Sequence, residues 1–194
     1  GKKKVAVRSD SRISGPVFKK AFMEGLPSSG YDVLDCGLAS TPAMFMTTIH
    51  PELRADGAVM LTASHLPFNR NGMKFFTEKG GFGKVHISEL LTIAAGGRFE
   101  GAREPGKVKK LDFISRYSAH LVEVVRKGVN NPAQYDTPLS GMKIIVDAGN
   151  GAGGQKMRFS HEHYLSPTFQ FHMPGRFFNL TVLGSGSSRC ANQR

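Results

Sequence analysis

Ser64, His65 and Lys74 fall close together between Asp56 and Phe76, in the stretch DGAVMLTASHLPFNRNGMKFF. A seryl hydroxyl is a weak nucleophile that needs activation and exact placement. Pro67 fixes the backbone just past Ser64 and disfavours a helical conformation at Leu66, so the segment reads as a stiff loop. The turn residues Asn71-Gly72 then send the chain back along a second strand that carries Lys74. The pattern presents a reactive hydroxyl on a rigid platform, with a cation returned beside it. Each residue also has a plain structural use: Ser64 as a loop former, His65 as a hydrogen bonder, Lys74 as an exposed strand lysine. Upstream, Arg12 either supports the loop electrostatically or fixes its own turn with Asp10.

The elements that must position these groups follow from periodicity. Val5-Ala6-Val7 reads as a short buried strand, and Ser14 as the cap of a helix with Phe18, Phe22 and Leu26 at helical spacing. Tyr31 to Leu34 is a second strand. Thr41-Pro42 opens a helix running to about His50, Gly57 to Leu61 is a third strand, and Met73 to Phe76 a fourth. Helices are expected over Ile87 to Ala95 and, longer and amphipathic, over Phe113 to Val125. A Pro- and Asn-containing connector spans 130–141, and Lys143 to Val146 restarts the strand pattern. Strands alternating with helices predict a three-layer α/β/α domain with a mixed sheet. After Gly154 no period of two or 3.6 is sustained, and an irregular, disordered tail is expected over 155–194.

Composition narrows the function classes. The chain has 194 residues, 40% of them hydrophobic, enough for one good core or for one domain and part of another. No apolar run approaches the roughly 20 residues that cross a bilayer, so no membrane partner is expected. Cys36 and Cys190 make neither a disulfide framework nor a metal site. The net charge of +11 raises nucleic acid as a partner. The basic residues are spread over 2–4, 19–20, 107–110 and 126–127, however, with no nucleic-acid motif to organise them. Solvated faces and attraction for phosphorylated substrates account for them better, and no nucleic-acid partner is expected.

Four segments, in order, carry a resemblance. Ser9-Asp10-Ser11-Arg12-Ile13-Ser14-Gly15 is similar to an R-D-x-R-x-S-G turn, and Gly37-Leu38-Ala39-Ser40-Thr41-Pro42 to G-x-x-x-T-P. Thr62-Ala63-Ser64-His65-Leu66-Pro67 is similar to a T-(A/G)-S-H-N-P loop, and Ile145 to Gly154 to V-D-x-G-N-G-x-(A/G)-G. Together they resemble the α-D-phosphohexomutases, the phosphoglucomutase and phosphomannomutase superfamily, over roughly positions 3 to 154. The resemblance implies a first α/β/α domain over 1–140, the first strand of a second domain over 141–154, and a non-family tail over 155–194. It implies an intramolecular phosphotransferase of carbohydrate metabolism, moving phosphate between C1 and C6 of a hexose phosphate. Ser64 would carry the phosphoryl group, Lys74 would assist proton transfer and charge stabilisation, and His65 would orient phosphate or a substrate hydroxyl. Arg12 and Asn71 would support the loop. Magnesium would sit on the Ser64 phosphate, and a hexose 1,6-bisphosphate would serve as activator.

The sequence also departs from the pattern. Leu66 stands where asparagine is usual, a Ser-His-Leu-Pro form found in plant-type members. Ser9 replaces an arginine, with Arg8 adjacent. The Y-D-x-R-G segment, the D-G-D-x-D-R metal loop, the G-E-x-S-G sugar loop and the C-terminal phosphate-binding domain are not in this sequence. The resemblance thus implies a truncated member with little or no turnover, its last residues explained by a frameshift, a retained intron or a misplaced exon boundary. The alternative is a non-catalytic binding or regulatory module that keeps the domain. Cytosol or plastid stroma is the expected location.

Overall fold

The computed structural model describes residues 3–67 and 69–140, together with three further strands at 144–147, 168–173 and 176–181. The chain forms two compact units, Gly1–Ile114 and Ser115–Arg194.

The first unit is built on a six-stranded mixed sheet. Its strands are β1 (Lys4–Ser9), β2 (Asp32–Leu38), β3 (Gly57–Leu61), β4 (Met73–Thr77), β5 (Gly80–Gly81) and β6 (Val108–Lys110), in the spatial order β5-β4-β3-β1-β2-β6. Strand β1 is central and parallel to both β2 and β3, β6 adds parallel to β2, and β4 and β5 run antiparallel. Helices α1 (Gly15–Ser28) and α2 (Thr41–Ile49) are the crossovers that parallel pairing demands. Helix α3 (Lys84–Gly96) follows β5.

Side-chain alternation divides the core between two faces. Val7, Val33, Val59 and Leu61 form one buried cluster, joined by Val5, Phe75 and the α1 residues Phe22, Met23 and Leu26. Each of the four buried side chains contributes about 1.5–3 kcal/mol through burial, and the partly buried ones less. The alternate residues Ala6, Leu34, Ala58 and Met60 are also buried, as are Ala43, Met44, Thr47 and Thr48 of α2. The ring of Phe45 meets that of Phe76, the neighbour of Phe75 on β4, at 6.1 Å between centroids. Helices α1 and α2 therefore cover opposite faces, as a three-layer α/β/α sandwich requires.

Two strands carry no sequence signal of the expected kind. β5 is a pair of glycines, with no side chains to alternate. β6 is Val108-Lys109-Lys110, an exposed edge strand whose lysines suit the outside of a sheet.

In the second unit, α4 (Ile114–Val129) is followed by a 3-10 turn at Pro132–Gln134. Tyr135 donates to Glu123 at 2.8 Å, and Arg126 pairs with Asp136 at 3.2 Å, folding the turn onto the helix. β7 (Ile144–Asp147) pairs parallel with β8 (Thr168–Met173), and β8 antiparallel with β9 (Arg176–Thr181). The last two strands lie where an irregular, disordered tail is expected. The alternation in Thr168-Phe169-Gln170-Phe171 is a strand signal, but one too short to stand out among the flanking Ser, His and Pro residues. The glycine-rich segment 148–154 lies outside the described residues.

Candidate functional site

The candidate loop grows out of the sheet at the carboxyl ends of β1 and β3, where open α/β sheets gather their chemistry. Both feet of the loop extend the strand pairing. The Asp10 N–H donates to Leu61 O at 3.0 Å, and the Thr62 N–H to Gly72 O at 2.9 Å. The second contact favours glycine: a Cβ on Gly72 would stand a tight 3.0 Å from the Thr62 carbonyl oxygen, which would have to give way. Thr62 and Ala63 are buried, and the chain then emerges into solvent at Ser64.

Arg12 organises what emerges. Its Nη2 donates to the carbonyls of Ser64 at 2.6 Å and Leu66 at 2.9 Å. Its Nη1 donates to those of Pro67 at 2.7 Å and Arg70 at 3.0 Å. Its Nε donates to Asp10 Oδ2 at 3.1 Å. A planar guanidinium with five donors in a fixed fork can do this, and an ammonium cannot. The two uses the sequence leaves open for Arg12, supporting the loop and fixing its own turn with Asp10, are thus both present in the geometry. Two short turns complete the loop, Leu66 N–H to Ala63 O at 3.0 Å and Arg70 N–H to Pro67 O at 2.9 Å.

Asn71 fastens the far side. Its Nδ2 donates to Ser14 Oγ at 3.0 Å, and its Oδ1 accepts from the Gly72 N–H at 2.8 Å. Ser14 precedes α1 as expected, but its hydroxyl makes no cap hydrogen bond, because its backbone is already helical (φ −79°, ψ −9°) and its oxygen serves Asn71.

Ser64 is exposed, with a left-handed backbone (φ 55°). Its N–H donates to Thr62 Oγ1 at 2.9 Å. His65 is exposed and makes no hydrogen bond among the described residues. Lys74 lies exposed on β4 opposite Met60 in the β3 ladder, likewise without a hydrogen bond or ion pair among the described residues. Arg12, Ser64 and Asn71 are thus tied into one hydrogen-bonded structure, whereas the His65 and Lys74 side chains are exposed and take no part in it among the described residues. Asp10 and Thr62 hold the loop from beneath; reading the sequence does not single out Thr62, and names Asp10 only as a turn partner of Arg12.

Arg8 takes no part in the loop. It is 2% exposed, and its Nε and Nη1 find no hydrogen-bond partner among the described residues. Burial pushes it down to about 10, against the opposing pull of Cys36, Asp112 and Asp35. Burial likewise pushes the Cys36 thiol up to about 11, which leaves it protonated and unreactive at neutral pH. Arg8 therefore does not stand in at the loop for the arginine that Ser9 replaces.

No group of three or more His, Cys, Asp or Glu side chains among the described residues could hold a metal ion. The carboxylate nearest the loop's backbone, Asp10, is already committed to Arg12 and Thr62. These residues do not by themselves make a site for a hard cation that takes several oxygen ligands.

Known proteins are similar to this chain in sequence and in fold. Phosphoglucosamine mutase of Nautilia profundicola is 35% identical over 153 residues, covering 77% of this chain and 32% of its own length. Phosphomannomutase of Vibrio cholerae is 31% identical over 78% of this chain and 31% of its own length. Phosphoglucomutase of Neisseria meningitidis is 33% identical over 79% and 31%. The crystal structure of a phosphoglucomutase/phosphomannomutase family protein from Burkholderia thailandensis matches with a TM-score of 0.68 and 26% identity, over 89% of this chain and 36% of that one. The chain thus spans about a third of the length of the curated relatives it matches. Residues 1–97 match the family model for phosphoglucomutase/phosphomannomutase, alpha/beta/alpha domain I. With that match, and the mixed sheet of the first unit beside it, the chain belongs to the phosphoglucomutase/phosphomannomutase family of enzymes.

Proposed function

We propose that this chain supplies the phosphoryl-carrier part of a hexose-phosphate mutase. In that reading Ser64 carries a phosphoryl group on Oγ and transfers it to a free hydroxyl of a hexose monophosphate. The P–Oγ bond breaks, a P–O bond to the sugar forms, and the proton leaving the sugar hydroxyl ends on the freed Ser64 Oγ. The resulting bisphosphate turns over, and its other phosphoryl group returns to Ser64, so that phosphate moves between C1 and C6. Lys74 neutralises the transferring group and exchanges the proton, and His65 orients phosphate or a sugar hydroxyl. Arg12 and Asn71 hold the loop.

The single observation that carries this reading is an exposed serine hydroxyl on a loop whose backbone is fixed from beneath. Phosphoryl transfer depends chiefly on positioning and charge neutralisation, and such a loop supplies the first. The free ammonium of Lys74 is available for the second. Magnesium belongs to the proposal through the family, but its ligands besides the seryl phosphate are not among the described residues, so no step is assigned to it. The domain assignment is also part of the proposal: a first domain over 1–140, the start of a second over 141–154, and a non-family stretch over 155–194. Hexose phosphate is the proposed substrate, and cytosol or plastid stroma the proposed location, with the Ser-His-Leu-Pro loop pointing toward the plastid. Among the described residues no helix is long and apolar enough to cross a membrane.

The test is intact and tandem mass spectrometry after incubation with glucose 1,6-bisphosphate and magnesium. The expected result is one phosphoryl group on Ser64, absent from the Ser64→Ala variant. Phosphate on another residue, or none, would overturn the carrier role.

A further inference from the structure

We propose that Asp10 and Thr62 are positioning residues for the Ser64 hydroxyl, an inference that rests on reading Ser64 as a phosphoryl carrier. The hydrogen bonds around Ser64 close into a ring. The Ser64 N–H donates to Thr62 Oγ1 at 2.9 Å, and that hydroxyl donates to Asp10 Oδ2 at 2.7 Å. The same Oδ2 accepts from Arg12 Nε at 3.1 Å, and Arg12 Nη2 donates to the Ser64 carbonyl oxygen at 2.6 Å. Asp10 Oδ1 is held in turn by the Arg12 N–H at 3.1 Å.

The peptide groups on both sides of the Ser64 Cα are therefore anchored through one carboxylate oxygen. Fixing both peptide planes sets φ and ψ, and with them the direction of the Cα–Cβ bond, leaving the hydroxyl only its rotation about that bond. The direction of the bonds around the ring is determined as well. An ionised carboxylate only accepts, so the Thr62 proton must point to Asp10, which turns a lone pair of Oγ1 toward the Ser64 N–H. Neither Asp10 nor Thr62 needs to touch a sugar or a phosphate to do this. Thr62 is 7% exposed, which shields its link from competition by water.

The experiment compares the rates at which Ser64 gains phosphate from glucose 1,6-bisphosphate in the wild-type chain, Thr62→Val, Thr62→Ser and Asp10→Asn. Thr62→Val keeps the shape and loses the hydroxyl; Asp10→Asn replaces an acceptor oxygen with a donor. Both are expected to slow uptake about 100-fold through misplacement of the nucleophile, at an unchanged half-saturating concentration, while Thr62→Ser recovers most of the rate. Amide hydrogen exchange at Ser64 is the second readout. Its protection is expected to fall in Thr62→Val and to return in Thr62→Ser, with the thermal midpoint of the first unit little changed. Wild-type uptake in Thr62→Val, or undiminished protection of the Ser64 amide, would overturn the proposal. If the wild-type chain takes up no phosphate, the carrier reading fails, and the exchange data alone decide whether the ring holds Ser64.

Discussion

The Ser64 loop and helix α3 are both on the surface of the first unit, and they differ in whether anything fixes them. α3 carries Val85, Ile87, Leu90, Leu91 and Ile93, yet none of its residues is buried. The loop is short, polar and exposed, yet hydrogen bonds to Arg12, Thr62 and Asn71 hold its backbone. Apolar content alone therefore does not tell which surface segment has a fixed geometry. Burial is non-directional and tolerates small shifts, whereas a guanidinium on four carbonyls sets positions and angles together.

This contrast can be pressed by substitution. The largest effect is expected at Leu61, the fully buried residue where β3 hands over to the loop: Leu61→Ala should cost about 2–5 kcal/mol, read by urea or thermal unfolding. An equal cost from Leu91→Ala on α3 would erase the distinction. Next comes Arg12→Lys, which keeps the charge and loses the fork. It should loosen the loop by about 1–3 kcal/mol, measured by amide exchange over 64–72. Unchanged protection there would mean that the turns alone hold the loop.

A smaller effect is expected at Asp35, on the α1 face of the sheet. Burial by itself would raise its carboxyl, but hydrogen bonds from Lys19 at 2.6 Å and the Gly37 N–H at 3.0 Å outweigh it and hold the group below the ordinary 3.8. A carboxyl lowered in the folded state stabilises above its unfolded pKa, and that contribution is lost as pH falls through the lowered value. Asp35→Asn should therefore cost under about 1 kcal/mol at neutral pH and make acid unfolding less steep, as seen in a pH series of melting temperatures. A mutant with the same acid profile as the wild type would show that the pair contributes nothing. Smallest of all is Leu91→Gln, expected to change stability by no more than about 0.5 kcal/mol. A larger loss would show that α3 is anchored after all.

Much of the architecture is legible in the sequence, for identifiable reasons. Gly57–Leu61 is marked by apolar residues between polar neighbours, and α2 by Thr41-Pro42; the structure adds the cap, with the Ser40 hydroxyl accepting from the Ala43 N–H. β5 and β6 are not legible, because strand recognition depends on side-chain alternation that Gly80-Gly81 and Val108-Lys109-Lys110 lack. The loop around Ser64 is legible as a pattern, and Arg12 as a residue with two uses left open; Asn71 enters only through the family resemblance. The part played by Asp10 and Thr62 is not, because these residues stand 52 positions apart. Only the parallel register of β1 on β3, with Ser9 opposite Leu61, brings them side by side. A linear sequence does not state that register.

The left-handed backbone at Ser64 also chooses among the side chains that bear a hydroxyl. Threonine offers the same oxygen, but its β-branch is a poor fit to a positive φ, where even unbranched residues are uncommon. A Ser64→Thr exchange thus asks the loop either to hold a costly conformation or to abandon the one its hydrogen bonds specify. Serine, with its single small substituent on Cβ, is the hydroxyl residue this backbone accepts, independently of what the oxygen goes on to do.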